Sequence, residues 1–180
     1  MSDKIPYPEI ARKFLEKKIN VPTDKWDELK WGEHAHAFTV AHSNEAAVLD
    51  TIHGLLNEAM QHGLSFQDFR NGLLDMMSAK GWYGGAGHTE DEKQYINWRI
   101  GIIYDVNMRC AYEAAQYRNR LIGSDLRPIW IYHHDPAVTN PRAEHLALDG
   151  KAFRYDDAFW DTYNPPNGWG CQCYVTVMSE

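Results

Sequence analysis

The sequence is poor in cysteine, in long apolar runs and in positive charge. Its 180 residues include only 3 cysteines, too few for a scaffold held by disulfides, and two of them stand close together as Cys171 and Cys173. This usage fits folding in a reducing, cytoplasmic compartment. No stretch approaches the roughly 20 consecutive apolar residues of a membrane-spanning helix, and the first residues lack a secretory signal pattern. The sequence therefore predicts neither membrane insertion nor secretion.

Charge and motif content argue against two further classes of protein. The 25 acidic and 18 basic residues give a net charge of −7, which opposes tight, non-specific binding to nucleic acid. A local contact with DNA stays open but is not indicated by charge. A nucleophile elbow, a zinc-protease helix, a phosphate loop and a dinucleotide fingerprint are all missing. The sequence thus gives no indication of a conventional enzyme.

Helical periodicity dominates the first two thirds of the chain. Apolar residues recur every three or four positions, Gly63 is suited to end a helix, and Ser65 with Asp68 forms a capping pair. Thr89 with Glu92 repeats that capping pattern. A glycine-rich loop is predicted over residues 81–88. These patterns predict four helices, near 7–18, 44–62, 65–80 and 90–120.

Strand patterns dominate the last third of the chain. β-Branched and aromatic residues cluster near 128–133, and apolar residues alternate with polar ones over 171–177. We expect two strands there, joined by turns at the intervening prolines and Gly150. The predicted fold class is α+β, one domain over 1–180 with a helical part at about 1–123 and a β-rich part at about 124–180.

The two neighbouring cysteines can be interpreted in three ways. On an extended strand, Cys171 and Cys173 lie about 6.6 Å apart, near the upper limit for a disulfide. Two thiolates can more readily share a metal ion, and His145 or a neighbouring histidine could complete a zinc site. Buried, unreactive thiols are the alternative, since free cysteine is among the most buried residue types.

An alternative interpretation of the same region is a catalytic metal site. His133, His134, Asp135 and His145, with the cysteines, could hold a zinc ion that keeps one coordination position open. Glu144, next to His145, would then be the general base. This reading predicts a metal-dependent hydrolase or nuclease, whose activity would be lost on chelation.

An unusual string of motifs runs through the C-terminal third. It contains Arg142 and His145 as Arg-x-x-His, Leu148-Asp149-Gly150, Asp-x-Phe-Trp ending at Trp160, and Pro-Pro-Asn-Gly-Trp-Gly-Cys-x-Cys from 165 to 173. The string strongly resembles the signature of the phage Mu protein F-like, or head morphogenesis, family, and similarity extends along nearly the whole chain. Where relatives commonly have Cys-Arg-Cys, this chain has Cys171-Gln172-Cys173.

The resemblance implies a phage or prophage minor head protein that acts with portal, scaffold or capsid proteins, often as one module of a longer polypeptide. It would work in the host bacterial cytoplasm during assembly or in the virion. The motif positions expected to be structural are Arg142, Asp149, Gly150, Trp160, Pro165, Pro166 and Trp169. The predicted metal ligands are His145, Cys171 and Cys173, with zinc as the cofactor.

Overall fold

The structure of the chain is a computed structural model. It describes residues 6–25, 27–29, 31–40, 45–79 and 89–179. The loop predicted over 81–88 lies outside these residues. The chain separates into two compact units, Met1–Tyr112 and Glu113–Glu180. The boundary lies inside a helix, about ten residues before the change in composition near 123.

The first unit is mainly helical. Its helices are α1 (Glu9–Glu16), α2 (Ala46–His62), α3 (Phe66–Ala79) and most of α4 (Glu90–Ile122), with a 3₁₀ turn at Trp31–Ala35. Two short strands, β1 (Ile19–Asn20) and β2 (Ala37–Phe38), pair in parallel. All four predicted helices are thus found, with ends that differ from the prediction by a few residues at most.

Local capping explains where these helices begin and end. At the start of α3, the Asp68 amide donates to the Ser65 hydroxyl (3.2 Å), and the Ser65 amide donates to the Asp68 carboxylate (3.0 Å). Thr89 and Glu92 make the same reciprocal pair at the start of α4. Gly63 ends α2 at φ 60°, a left-handed conformation that side chains with a Cβ rarely adopt.

The core of the first unit forms around α2, which packs against α1 and α3. Leu15, Ile52 and Leu56 are fully buried there. The His53 ring is also buried, stacked on Phe38 at a centroid distance of 4.5 Å. The predicted apolar stripe of α2 is therefore the face that the neighbouring helices cover.

The second unit contains a three-stranded antiparallel sheet. Its elements after α4 are β3 (Ile129–His133), α5 (Ala143–Leu146), β4 (Ala152–Arg154), α6 (Phe159–Tyr163) and β5 (Tyr174–Met178). The strand order is β4-β3-β5, with Trp130 opposite both Phe153 and Val177. The α+β class, with helices first and a small sheet last, is confirmed.

The last predicted strand starts later than expected. Pairing with β3 begins at Tyr174, opposite His133, so both cysteines precede the strand. Burial still alternates from Cys171 to Val175, which is why the sequence pattern extends beyond the ladder. β4, α5 and α6 lie where only turns were predicted, because elements of three to five residues give little periodic signal. Among the described residues, no helix is both long and apolar enough to cross a membrane.

Candidate metal centre

The two cysteines belong to the buried core of the second unit. That core consists of Trp130, Tyr132, Leu148, Trp160, Cys171, Cys173 and Val175. Trp130 and Tyr132 project from the central strand β3 and are fully buried. Each thiol is 3% exposed. The sulfur atoms therefore occupy an interior position, as the alternation in the sequence predicts.

Three potential metal ligands converge in this core. The Nδ1 atom of His145 lies 3.7 Å from the Cys171 sulfur and 3.5 Å from the Cys173 sulfur. All three ligand atoms lie within 4.8 Å of one another, and the His145 ring is 6% exposed. Among the described residues, this is the one group of histidine, cysteine or carboxylate side chains that could hold a metal ion.

Short segments of the second unit bring these ligands together. His145 lies on the single turn of α5, which begins after Arg142. Arg142 donates a hydrogen bond to the backbone carbonyl of Trp169, two positions before Cys171. The Cys171 amide then donates to the carbonyl of Gly168, at a nitrogen to oxygen distance of 3.2 Å. Arg142 therefore links the ligand-bearing turn of α5 to the segment that carries the cysteines.

Hydrogen bonds and burial shift the pKa values of the two thiols in opposite directions. A bond from the Cys173 thiol lowers the pKa of Cys171, and a bond from the Asn167 amide acts in the same direction. That thiol bond and burial together raise the pKa of Cys173. Burial, followed by the hydrogen bond to Cys173, raises the pKa of Tyr132. The two thiols therefore titrate as a coupled pair that shares one hydrogen bond.

The other nitrogen of His145 lies near a carboxylate. Its Nε2 atom lies 3.9 Å from a carboxylate oxygen of Glu144, whose side chain is 78% exposed. This separation is too long for a hydrogen bond. The ring nitrogen that faces the sulfurs is Nδ1. Coordination of a metal through Nδ1 would require the tautomer with the proton on Nε2.

The remaining motif residues shape the backbone around the group. Asp149 accepts a hydrogen bond from the His134 amide (2.8 Å), and Gly150 follows at φ 74°. The indole of Trp160 is buried and donates to the Arg154 carbonyl (3.0 Å). Pro165 and Pro166 are joined by a cis peptide bond in the segment that leads to Trp169. These positions surround the group without contributing ligand atoms.

Of the residues of the predicted catalytic site, Glu144 and Asp135 lie beside this group without adding a ligand atom to it. His133 stacks on Tyr174 at a centroid distance of 5.0 Å and shares a hydrogen bond with Thr176 (2.7 Å). The Asp135 carboxylate accepts from the amide of Ala137. Of the histidines and carboxylates predicted for a catalytic metal, only His145 joins the two sulfurs within the described residues.

Two residues beside the sulfurs were missed by the sequence reasoning. The Tyr132 hydroxyl is hydrogen-bonded to Cys173 and accepts from the Asn167 side-chain amide (3.2 Å). Tyr132 follows Trp130 by two positions on β3, so both side chains lie on the same face of the sheet. The inward direction of Tyr132 could therefore have been predicted from the sequence. The hydrogen bond between Tyr132 and Asn167, 35 positions apart, could not have been predicted in this way.

Comparison with known proteins places the chain in a family. The model of the Phage Mu protein F like protein family matches residues 50–176, a range that contains all three ligand candidates. The "Putative capsid assembly protein F" of Escherichia phage Mu is 35% identical over 98% of this chain. The Mu-like prophage FluMu F protein of Haemophilus influenzae is 38% identical over 88% of it.

The matches cover only part of the relatives. The chain spans 41% of the phage Mu protein and 38% of the Haemophilus influenzae protein. No solved structure matches the chain. Because the family model and both relatives align with most of the chain, the chain belongs to the Phage Mu protein F like family.

Proposed function

We propose that this chain acts as a minor head protein in the assembly of a phage or prophage head, through contacts with portal or capsid proteins. The observation that carries the proposal is the similarity, over 98% of the chain, to a protein named for capsid assembly. The acidic composition agrees, because a net charge of −7 favours protein partners over packaged DNA. Assembly would take place in the host bacterial cytoplasm, and the protein would remain in the virion.

An exposed apolar patch in the second unit is suited to such contacts. Ile122, at the end of α4, and Leu126, in the following turn, are each 80% exposed, and Leu121 beside them is 38% exposed. Clusters of exposed large apolar side chains, unlike single ones, are typical of surfaces that bind other proteins. We assign the contact with portal or capsid proteins to this patch, since its burial on binding would be favourable.

Retention of head proteins by the purified chain would test the proposal. Tagged protein, made together with the portal and capsid proteins of the same phage, should retain one of them at both low and high salt. The variant Ile122→Asp/Leu126→Asp should lose it. Asn119→Asp, an exposed position near the same helix end, is the control for added charge. Retention of nucleic acid alone, with a steep dependence on salt, would overturn the proposal.

We further propose that His145, Cys171 and Cys173 bind a structural zinc ion. Tetrahedral zinc, with bonds of about 2.3 Å to sulfur and 2.0–2.1 Å to nitrogen, sets these atoms roughly 3.5–3.6 Å apart. The observed separations of 3.5 Å and 3.7 Å fit this geometry. Two thiolates with one imidazole are a donor set that zinc favours. The group supplies three ligands, so a water molecule or another residue would take the fourth position of tetrahedral zinc, and burial of all three side chains supports a structural role.

A further inference from the structure

Hydrogen-bond donors surround both sulfurs of the ligand group. Besides the bond between the two thiols, the Cys171 sulfur accepts from the backbone amides of Asn167 and Cys173. The Cys173 sulfur accepts from the backbone amide of Asp135 and from the Tyr132 hydroxyl. These amides and the hydroxyl are electrically neutral, so both sulfurs are bonded to donors that bring no positive charge into the core.

Such donors suit thiolates better than neutral thiols. The sulfur of a neutral thiol is a weak acceptor, so amides and a hydroxyl directed at it gain little. A thiolate accepts the same bonds strongly, because they are then assisted by its charge. Two thiolates also balance the double charge of a zinc ion, and a neutral group avoids the cost of burying net charge. The donors are therefore arranged for sulfurs that bind a divalent metal ion.

The Tyr132 hydroxyl differs from the other donors because its direction is set by neighbouring side chains. Tyr132 is fully buried, and its oxygen accepts a hydrogen bond from the side-chain amide of Asn167 (3.2 Å). The same amide nitrogen donates to the backbone carbonyl of Tyr163 (3.0 Å), which fixes the amide in this orientation. Because Asn167 donates to the Tyr132 oxygen, the hydroxyl proton remains available for the bond to Cys173.

We propose that Tyr132 is a positioning residue of the zinc group, whose hydroxyl, oriented by Asn167, stabilises the Cys173 thiolate and so strengthens metal binding. This inference rests on the zinc site proposed above. It gives Asn167 two roles, one at each sulfur. Its backbone amide donates to Cys171, and its side chain acts on Cys173 through Tyr132.

The Tyr132 ring also has a packing role, which the test must leave intact. The ring contacts Phe159 edge to face, at a centroid distance of 6.5 Å, and belongs to the core of the second unit. Truncation to alanine would therefore damage the core whatever the hydroxyl does. Tyr132→Phe keeps the ring and removes only the hydroxyl, so it isolates the bond to Cys173.

Competition with a chromophoric chelator would measure the zinc affinity of the purified chain. We expect Tyr132→Phe to weaken zinc binding about tenfold, as the loss of a group that orients a metal ligand does. Asn167→Ala should weaken it by a smaller factor, because the hydroxyl stays but loses its orientation. In the Tyr132→Phe background, Asn167→Ala should add little further loss, since no hydroxyl remains to be oriented. Tyr163→Phe removes an exposed hydroxyl from the same unit and is the matched control, which should bind zinc like the wild type.

Cobalt(II) in place of zinc separates the hydrogen bond from a general effect on folding. A hydrogen bond lowers the energy of the sulfur lone pair, so its loss in Tyr132→Phe should move the thiolate-to-cobalt charge-transfer band to longer wavelength. Tyr163→Phe should keep the wild-type spectrum, and circular dichroism would verify that each variant is folded. An unchanged band in Tyr132→Phe, even with weaker binding, would overturn this inference and leave the zinc site standing. Wild-type protein that binds neither zinc nor cobalt would overturn both.

Discussion

The imidazole Nδ1 of His145 lies 3.5 Å from the sulfur of Cys173, although the two residues are 28 positions apart. The contact closes a loop that contains β4, α6 and the two consecutive prolines. Few regular backbone hydrogen bonds hold the proline segment, so side-chain contacts must fix its path to the sulfurs. The stability of this corner should therefore depend on the ligand group and on Arg142.

Removal of one thiol should lower zinc content and stability together. We expect Cys171→Ser or Cys173→Ser to lose zinc on elemental analysis and to unfold at a lower temperature, since structural zinc contributes several kcal/mol or more to folding. A chelator should destabilise the wild type and leave these variants unchanged. Cys110→Ser is the control, because Cys110 lies on α4 outside the group. Wild-type protein without zinc, unaffected by chelator, would contradict the zinc proposal.

Loss of the Arg142 side chain should loosen the segment before the cysteines. Arg142→Ala removes the bond to the Trp169 carbonyl, and we expect a cost of about 1 kcal/mol on urea unfolding. Zinc should also dissociate more easily in competition with a chelator, because the sulfurs are held less firmly. Arg118→Ala, another exposed arginine of the second unit, is the control. Unchanged stability and zinc affinity would show that this hydrogen bond does not support the site.

Replacing one partner of the Glu113–Arg120 ion pair should strongly lower the free energy of unfolding. Its charged atoms lie 3.7 Å apart and both side chains are more than 90% buried. Glu113→Gln should cost about 3–5 kcal/mol, because it leaves the Arg120 guanidinium buried without its counter-charge. Glu9→Gln, in the exposed pair with Lys13, should hardly change the free energy of unfolding, because water screens that pair.

Replacing both partners gives the complementary test. The double variant Glu113→Leu/Arg120→Met should cost less than Glu113→Gln alone, since no buried charge remains. Denaturant unfolding would measure all three variants. A larger loss in the double variant would mean that the pair itself, and not the orphaned charge, contributes the stability.

Acidification should destabilise the first unit through one buried and one half-buried histidine. Burial lowers the pKa of His53 and of His34, and in each case the positive charge of Lys18 lowers it further. Below the usual pKa of 6.5, the unfolded chain therefore binds more protons than the folded one. The stability that the two neutral histidines contribute is fully present above that pH. It is lost as the pH falls through their lowered pKa values in the folded state.

Thermal unfolding between pH 8 and pH 5, with chelator present in every sample, would measure this loss. His53→Gln should flatten the pH dependence, while His62→Gln, at an exposed position, should leave it as in the wild type. An equal slope in His53→Gln would show that His53 does not contribute to it.

Many features of the fold follow from local sequence. Ser65 with Asp68 and Thr89 with Glu92 predicted two helix starts, and both capping pairs are present. These signals can be read because they act within three residues. The start of β5 was placed too early, because alternation continues through Cys171 and Cys173 while pairing with β3 does not. The residue at which two strands begin to pair depends on both strands. The sequence of one strand alone therefore does not determine it.

The sequence by itself determined the α+β class, the helices, the family signature and the inward direction of the two thiols, because each depends on short-range periodicity or on a contiguous motif. Only the tertiary structure decided which histidine faces the sulfurs. His133, His134 and His145 are equally suited by residue type, but β3 turns His133 toward Tyr174, whereas α5 turns His145 inward. That choice depends on how elements far apart in the chain pack around Trp130 and Tyr132.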